Sequence, residues 1–420
     1  MNGLPRWAQA LKDRHPNDEM PTRDNPIPEW LQQEVAQTPL WYIIREAAEP
    51  RTQHPYVLLD EIRRQPNQWA EILGSKGLEV DRLVDIIVDG GVEQVIFTGC
   101  GSAFFTAIHG AFTFQRLTGI RAEAIESFEL THYFPSVDPA RTLVVAHSGT
   151  GGSIETIEAV RAAAARGCLT LAITNTQGSS VASAARHSIT YETRQACGPC
   201  ISVISTRILL QTMLALAVAA SRGVESSQEV VATLPGVVDA GRAFLNLHES
   251  TIWELAKRHC SAESFMLVGS GPNYFSAREG TLKIEEQAIL VAKAYRTGDF
   301  HHDALSLVAP ARVVIGIEAA GSANERVVDA LRAAREGESP TIAVTWSGGA
   351  GVSDLAQVAD AQIAIAGGLP EIIAPIPMTL VFQLLGYYLG VERGFNPDTL
   401  RTDHLPNARA WLTSFPLGTH

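Results

Sequence analysis

The feature that most constrains the fold of this chain is an internal repetition of buried strand and helix patterns. In the first copy, short apolar runs beginning at Val95, Leu143 and Leu169 alternate with amphipathic segments of helical period. A second copy follows element for element, in the segments 265–275, 313–334 and 341–349. Strands that alternate with helices indicate a parallel, doubly wound sheet that binds ligands at the carboxyl ends of its strands. Because each copy is long enough to bury its own core, an α/β protein with two tandem modules is predicted.

The repetition also sets the predicted division of the chain. The segments are an N-terminal arm (1–53), a first module with its leading helix (54–220), a helical linker (221–257), a second module (258–395), and a C-terminal loop and tail (396–420). The leading helix, within His54–Pro66, is expected to stop before Pro66, because proline disfavours helical geometry in the preceding residue. The apolar run Ile208–Ala220 is shorter than a membrane span, so it is expected to be a buried helix.

The charge balance limits the classes of partner. With 33 basic and 45 acidic residues the net charge is −12, which gives no general attraction to nucleic acid or to an anionic membrane. We therefore expect a small-molecule ligand, no nucleic-acid partner and no membrane association. Five cysteines, a small and odd number, suit the reducing cytoplasm better than a disulfide framework.

Two short motifs bear on cofactor and metal binding. Gly99–Ser102 is only part of a dinucleotide-binding glycine pattern, and no acidic residue follows a second strand at the expected place. Cys197 and Cys200 form a CxxC pair ahead of a helical run, which suits redox chemistry, but the second pair that a zinc site needs is missing. We predict no cofactor and no metal, and the role of the cysteine pair stays open.

A candidate catalytic segment runs from Arg278 to Leu307. Its apolar residues recur at close to helical spacing, at Leu282, Ile284, Ala288, Ile289, Val291 and Ala292. On the predicted helix, Glu279, Lys283 and Glu286 fall on one stripe. The pattern ends near Tyr295, and His301 and His302 follow in a predicted loop. By residue type alone, the stripe is either a solvated face or part of a site.

A second candidate site is the loop from Ser148 to Thr156, which reads SGTGGSIET between a predicted strand and a predicted helix. Glycines let a backbone wrap closely around a ligand, hydroxyls donate hydrogen bonds, and a helix N-terminus offers free N–H groups. The loop is therefore either a phosphate cradle or an ordinary serine or threonine cap.

Three motifs resemble the sugar isomerase (SIS) family, which includes the isomerase half of glucosamine-6-phosphate synthase and the fructosamine-6-phosphate deglycases. The family patterns E-G-A-L-K-L-K-E, A-E-A-Y and G-E-L-K-H-G-P read here as EGTLKIEE, AKAY and GDFHHDA, without a gap. The resemblance implies two tandem SIS modules, with Lys283, Glu286 and His302 as catalytic residues. It also implies a homodimer or higher homo-oligomer, because the family's histidine loop reaches into the neighbouring site. We also expect Glu279 and His404 to contact the substrate.

The resemblance extends to the substrate pocket. The family pattern S-x-S-G-x-T-x-E-T, matched to the loop Ser148–Thr156, implies phosphate donors at Ser148, Thr150, Ser153 and Thr156, and Ser102 is expected as a further donor. The loop is longer than the usual form, and Ala103 and Ala146 stand where the synthase has phosphate-binding serines. The segment GPCISVISTR aligns Ser205 with a sugar-contacting serine and Cys200 with the family's glutamate.

Together with the family, these residues predict proton transfer between C1 and C2 of an open-chain phosphorylated ketose or amino-ketose. Glu286 would be the base, His302 would open the ring or protonate a leaving amine, and Lys283 would steady the developing charge. The C-terminal loop has no lysine to form an imine, and no glutaminase activity is expected. A fructosamine-6-phosphate deglycase, an amino-sugar phosphate isomerase and a deaminating isomerase stay open as alternatives, as does a non-catalytic sugar-phosphate sensor.

Overall fold

The computed structural model describes residues 12–22, 24–44, 50–225, 227–318, 323–346, 355 and 357–415. These residues form two parallel five-stranded sheets flanked by helices, which confirms the predicted α/β fold with two modules. The strands of the first sheet are β1 (Gln94–Thr98), β2 (Arg121–Ala124), β3 (Thr142–Ser148), β4 (Leu169–Thr174) and β5 (His187–Thr190). Those of the second are β6 (Ser264–Val268), β7 (Val291–Tyr295), β8 (Arg312–Ile317), β9 (Thr341–Trp346) and β10 (Ala361–Ile365).

The two sheets share one topology. Their strand orders are β2-β1-β3-β4-β5 and β7-β6-β8-β9-β10, which is the structural counterpart of the repeated sequence pattern. In each sheet the order reverses beside the first strand, so a crevice opens at the carboxyl ends of β1 and β3, and likewise of β6 and β8. The second copy's crevice loops include residues 319–322 and 347–350, which lie outside the described residues.

Helices cover both faces of the sheets and join them. Those up to β6 are α1 (Glu29–Gln37), α2 (Leu40–Ile44), α3 (Val57–Ser75), α4 (Gly77–Asp89), α5 (Ser102–Thr118), α6 (Ser127–His132), α7 (Ile154–Ala165), α8 (Ser180–Ala184), α9 (Ser202–Ser221), α10 (Ser227–Thr233) and α11 (Gly236–His259). The later ones are α12 (Asn273–Ala288), α13 (Asn324–Glu336), α14 (Pro375–Glu392) and α15 (Leu405–Ser414).

The leading helix α3 does not stop before Pro66, so that prediction was wrong. The helix runs through this proline for 19 residues. Proline has no N–H to donate to the carbonyl four residues back, which here belongs to Ile62. The side chain of Gln65 donates to that carbonyl instead, at 3.2 Å. The missing backbone hydrogen bond is thereby replaced, and the helix continues.

The helix that carries Glu279, Lys283 and Glu286 is shorter than the apolar pattern predicted. It ends at Ala288, and Ile289 has a left-handed backbone with φ of 54°. Val291 and Ala292, assigned to this helix from the sequence, instead begin β7, which pairs with β6. Two overlapping periodicities explain the error, because apolar residues at alternate positions of a short strand also fit a helical pattern. His301 and His302 then fall in a single π-helical turn, Phe300–Ala304.

Two nearly all-buried helices hold the two modules together. Within the described residues, α9 is a single helix long and apolar enough to cross a membrane, but 83% of its most apolar 18-residue stretch is buried inside the protein. This confirms the predicted buried helix. Helix α14 packs on α12, and Gly386 allows the close approach, because a Cβ at that position would lie 2.6 Å from the carbonyl oxygen of Lys283.

The described parts of the N-terminal arm pack against the C-terminal region of the same chain. Leu31 and Val35 of α1 share an apolar cluster with Ala408 and Leu412 of α15. The buried carboxylate of Asp398 accepts hydrogen bonds from the Tyr42 hydroxyl and from the N–H groups of Val57 and Leu58. Segments far apart in sequence are therefore joined beside the crevice of the first sheet.

Candidate functional site

A cavity of about 540 Å³ lies at the carboxyl ends of β1 and β3. The turn after β1 and the loop after β3 form its floor, and the loop before α9 and one face of α12 form two walls. Its lining residues are Trp41, Cys100, Gly101, Ser102, Ala103, Glu126, Phe128, Ser148, Gly149, Thr150, Ser153, Glu155, Gly198, Cys200, Arg207, Leu282, Glu286, Leu400, Trp411 and Phe415. The two motifs singled out from the sequence therefore meet at one cavity.

Two hydroxyls and a glycine hold the loop after β3 in a tight turn at the edge of the cavity. The hydroxyls of Ser148 and Thr150 accept hydrogen bonds from the N–H groups of Gly151 and Gly152, at 3.0 and 3.2 Å. Gly151 has a left-handed φ of 73°, and a Cβ there would lie 2.2 Å from the Ser179 hydroxyl. Glycine is thus required for the tight turn.

Helix α7 begins directly after this loop, at the edge of the cavity. Ser153, its N-cap residue, makes no side-chain capping hydrogen bond. The Ser153 hydroxyl and the first N–H groups of a 12-residue helix therefore remain available to an anion. Ser102, the first residue of α5, also lines the cavity.

Two of the predicted substrate-binding hydroxyls do not line the cavity. Thr156 is fully buried and accepts a hydrogen bond from the Ser127 hydroxyl at 3.2 Å. Ser205 is fully buried as well: its hydroxyl donates to Gln65 at 2.6 Å and accepts from the Trp69 indole at 2.9 Å. Both hydroxyls are thus used inside the core of this structure, and their predicted contact with a substrate stays a prediction.

The stripe on α12 is a buried ion-pair cluster rather than a solvated face. The Lys283 ammonium is fully buried and lies 2.6 Å from a Glu286 oxygen and 3.3 Å from a Glu279 oxygen. Glu279 is 1% exposed and lies outside the cavity lining, whereas Glu286 is 20% exposed and forms part of it. Glu286 is thus the member of the stripe that a ligand in the cavity can reach.

The surroundings of the stripe shift its pKa values. Burial of Lys283 disfavours the charged form, but the carboxylates of Glu279 and Glu286 outweigh that effect and raise the pKa of the ammonium. Burial raises the pKa of the Glu286 carboxyl above its ordinary value, and the charge and hydrogen bond of Lys283 oppose the rise only in part. The result is a carboxylate of raised basicity held in place by a permanently charged neighbour.

The structure places both predicted histidines outside the cavity of their own chain. His302 is exposed on the π-helical turn after β7. His404 is also exposed, and its Nδ1 lies 2.6 Å from the Asn407 side-chain oxygen at the start of α15. Within a single described chain, neither histidine lines the cavity with Glu286.

Several lining residues were missed by the sequence analysis. Trp41 lies in the arm, and Trp411 and Phe415 lie in and just after α15, in segments that carry no recognisable site motif. Trp41 and Trp411 meet edge to face with ring centroids 5.7 Å apart, and Trp411 stacks on Phe415 at 5.5 Å. These rings form an aromatic wall at the cavity. Arg207, also missed, is the last residue of the segment GPCISVISTR, in which only Cys200 and Ser205 were predicted to matter.

Cys100 and Cys200, which line the cavity, are thiols and form no disulfide. Burial, then a hydrogen bond with Glu126, raises the pKa of the Cys100 thiol to about 12, so it stays protonated. Cys200 faces the cavity and accepts a hydrogen bond from the Gln195 amide at 3.3 Å. Cys197 is buried behind it and donates to Glu61 at 3.3 Å. Among the described residues, no group of three or more His, Cys, Asp or Glu side chains is arranged to hold a metal ion.

The fold and cavity define an α/β protein with a cavity of small-molecule size at the switch point of a parallel sheet. A loop of hydroxyls and a helix N-terminus stand at one side, and a buried lysine–glutamate pair stands at the other. The chain belongs to the SIS domain family, whose pattern matches residues 91–222 and 260–392. The predicted resemblance is therefore confirmed.

Comparisons with individual proteins agree with this family. The chain is 31% identical over 365 residues to a glutamine–fructose-6-phosphate aminotransferase (isomerizing) of Aeropyrum pernix, covering 83% of this chain and 56% of that protein. The chain thus spans about half the length of the curated relatives it matches. Two solved structures share the fold. The C-terminal domain of glucosamine-fructose-6-phosphate aminotransferase from Francisella tularensis has a TM-score of 0.73 at 17% identity, with 84% of this chain and 100% of that chain covered. Tagatose-6-phosphate ketose/aldose isomerase from Escherichia coli has a TM-score of 0.68 at 20% identity, with 84% and 97% covered.

Proposed function

We propose that this protein is a phosphosugar-processing enzyme that transfers a proton between C1 and C2 of an open-chain ketose or amino-ketose phosphate. The observation that carries the proposal is the position of Glu286. Its carboxylate is the only part of the buried cluster on α12 that lines the described cavity, and Lys283 holds it from behind at 2.6 Å. The proteins similar to this chain, with names that include isomerising activity on sugar phosphates, support the same reaction class.

Glu286 acts as the base in this proposal. Its raised pKa makes it a stronger base than an ordinary carboxylate, and a catalytic pKa closer to working pH favours proton transfer. Lys283, fully buried, is not available to the substrate. Its role is to fix the Glu286 carboxylate and to supply positive charge near the developing enediolate. The phosphate end lies across the cavity, at Ser102, Ser148, Thr150 and Ser153.

His302 acts, in this proposal, in the cavity of a second copy of the chain. It is exposed and outside its own cavity, so an acid at that position requires a homodimer or a higher homo-oligomer. His404, exposed beside the C-terminal segment of the wall, is proposed as a further substrate contact that becomes available in the same assembly. The small and odd number of cysteines is compatible with the reducing cytoplasm, which we propose as the compartment.

The reaction is tested by proton NMR in D2O with a panel of phosphorylated ketoses, aldoses and fructosamines. The wild type is expected to introduce deuterium at C1 or C2, or to release an amine, and Glu286→Gln is expected to do neither. Glu285→Gln, at the exposed neighbouring carboxylate, is the matched control and should retain exchange. Release of an amine would identify a deglycase, release of ammonia a deaminating isomerase, and exchange without either an isomerase. Ligand binding without exchange anywhere in the panel would favour the non-catalytic sensor and refute the enzyme.

The shared site is tested by mixing two inactive variants. Glu286→Gln and His302→Asn chains, unfolded and refolded together, should form mixed dimers with one intact site. Random pairing makes half of the dimers mixed, so about a quarter of the wild-type rate should return. If the mixture remains as inactive as its two components, His302 does not act in a second copy's cavity.

A further inference from the structure

Arg207 is a buried cation that has no described carboxylate partner. It lies in the second turn of α9 and is 1% exposed. Its Nε donates to the carbonyl oxygen of Val203, one turn earlier, at 3.0 Å, whereas its Nη1 is buried without any hydrogen-bond partner. No ion pair among the described residues includes Arg207, although Arg207 lines the cavity. A buried charge of this kind is costly to leave uncompensated.

The position of Arg207 is beside the hydroxyl loop. Val203 lies close to the loop at Gly149, where a Cβ would lie 3.8 Å from the valine side chain. The Arg207 charge also reaches His147, the residue before Ser148. Burial first, and then the Arg207 charge, lower the pKa of His147 to about 3. His147 is therefore neutral at working pH, and it adds no positive charge to this end of the cavity.

The charges around the cavity single out Arg207 further. The described lining of the cavity contains three carboxylates, those of Glu126, Glu155 and Glu286, and one cationic side chain, that of Arg207. Carboxylates repel a phosphate, so hydroxyls and a helix N-terminus alone would hold a dianion against an unfavourable field. Ala103 on the cavity wall and the fully buried Ala146 on β3 add no hydroxyl of their own.

We propose that Arg207 binds the anionic group of the substrate and sets the specificity of this site for a phosphate ester. This inference rests on the proposed function, because it takes the ligand to be a phosphorylated sugar. The guanidinium offers a planar fork of donors that matches two phosphate oxygens, and its hydrogen bonds to a charged acceptor are among the strong ones. An arginine from α9 thus supplies the charge, and the loop after β3 supplies additional donors.

Binding of inorganic phosphate, measured by isothermal titration calorimetry, tests this role without depending on turnover. Arg207→Gln should weaken phosphate binding about tenfold or more, and Arg207→Lys, which keeps the charge but not the fork, should weaken it less. Arg222→Gln, at the exposed end of the same helix, should bind phosphate like the wild type. Malonate, a dicarboxylate, should bind the wild type more weakly than phosphate does.

A purely structural arginine would give a different pattern. In that case Arg207→Gln would lower the melting temperature of the free protein, but added phosphate would raise it by as much as in the wild type, and the inference would fail. If Arg207→Gln does not fold, the comparison of Arg207→Lys with Arg222→Gln decides: equal phosphate affinity overturns the proposal.

The failure of this inference and the failure of the proposed function are distinguishable. Phosphate binding that depends on Arg207, with no proton exchange on any sugar, would support the anion site and refute the enzyme. Proton exchange with an unchanged KM for the phosphorylated substrate in Arg207→Gln would support the enzyme and refute the role of Arg207. If the proposed enzyme activity and the proposed role of Arg207 are both correct, Arg207→Gln should raise KM for the phosphorylated sugar much more than it lowers kcat.

Discussion

Replacing Glu61 by glutamine should change how the stability of the protein depends on pH. The Glu61 carboxyl is buried on α3, where it accepts hydrogen bonds from the Ala196 N–H and, at 3.3 Å, from the Cys197 thiol. Burial raises the pKa of Glu61 from 4.5 to about 7, and these two hydrogen bonds oppose the rise only in part. The folded protein therefore binds this proton more tightly than the unfolded chain does.

The magnitude follows from that difference in pKa. A difference of one corresponds to about 1.4 kcal/mol, so the rise from 4.5 to about 7 is worth about 3 kcal/mol. The stabilisation is fully present below pH 4.5 and is lost as the pH rises to about 7 and beyond. Glutamine keeps an oxygen to accept from Ala196 and carries no charge. Relative to the wild type, Glu61→Gln should gain about 3 kcal/mol between about pH 4.5 and about pH 8.

The assay is urea unfolding followed by tryptophan fluorescence at a series of pH values, with the slopes compared to check that both proteins unfold in the same manner. Glu71→Gln, an exposed carboxylate on the same helix, is the control and should follow the wild type throughout. A constant difference in the free energy of unfolding between Glu61→Gln and the wild type across this range would refute the reasoning, because Glu61 would then not titrate there.

Two further predictions concern α12. Lys283→Met should lower the free energy of unfolding by about 3–5 kcal/mol, since it leaves the buried Glu279 without its cation. Lys293→Met, on the exposed face of β7, is the control and should change the free energy of unfolding little. Equal losses for the two variants in urea unfolding would contradict the assigned role of the ion pair. Gly386→Ala should cost about 1–3 kcal/mol, because its Cβ would meet the Lys283 carbonyl at 2.6 Å and push α12 away from α14. Gly74→Ala, where a Cβ meets nothing within 4 Å, is its control, and a thermal melt that does not separate the two would argue against that close helix approach.

The sheets were predictable because their signals are local and repeated. Buried strands such as β1, β3 and β4 read as apolar runs, and the second copy repeats them in the same order. The end of α12 was not predictable in the same way. The left-handed turn at Ile289, which separates helix from strand, is made by an ordinary apolar residue without a glycine or proline to mark it.

The cavity was predictable in part. Glu286 and the hydroxyls of Ser102, Ser148, Thr150 and Ser153 line it, as the motif positions suggested. Ser205 has the same residue type but points into the core, because Gln65 and Trp69 bind its hydroxyl. When a helix is buried on all sides, residue type and motif position do not predict which way each of its side chains faces. For the same reason an arginine on α9 gave no signal until the structure showed where its guanidinium lies.

The wall formed from both ends of the sequence has a consequence for the synthesis of the protein. Tyr42 and Asp398, hydrogen-bonded beside the cavity, are 356 positions apart, and Trp41 packs on Trp411. A growing chain can fold its first sheet as soon as that sheet has left the ribosome. Its cavity nevertheless stays open on one side until the residues around Asp398 and Trp411 have been made. Competence to enclose a ligand is thus acquired late in translation, well after the hydroxyl loop is in place.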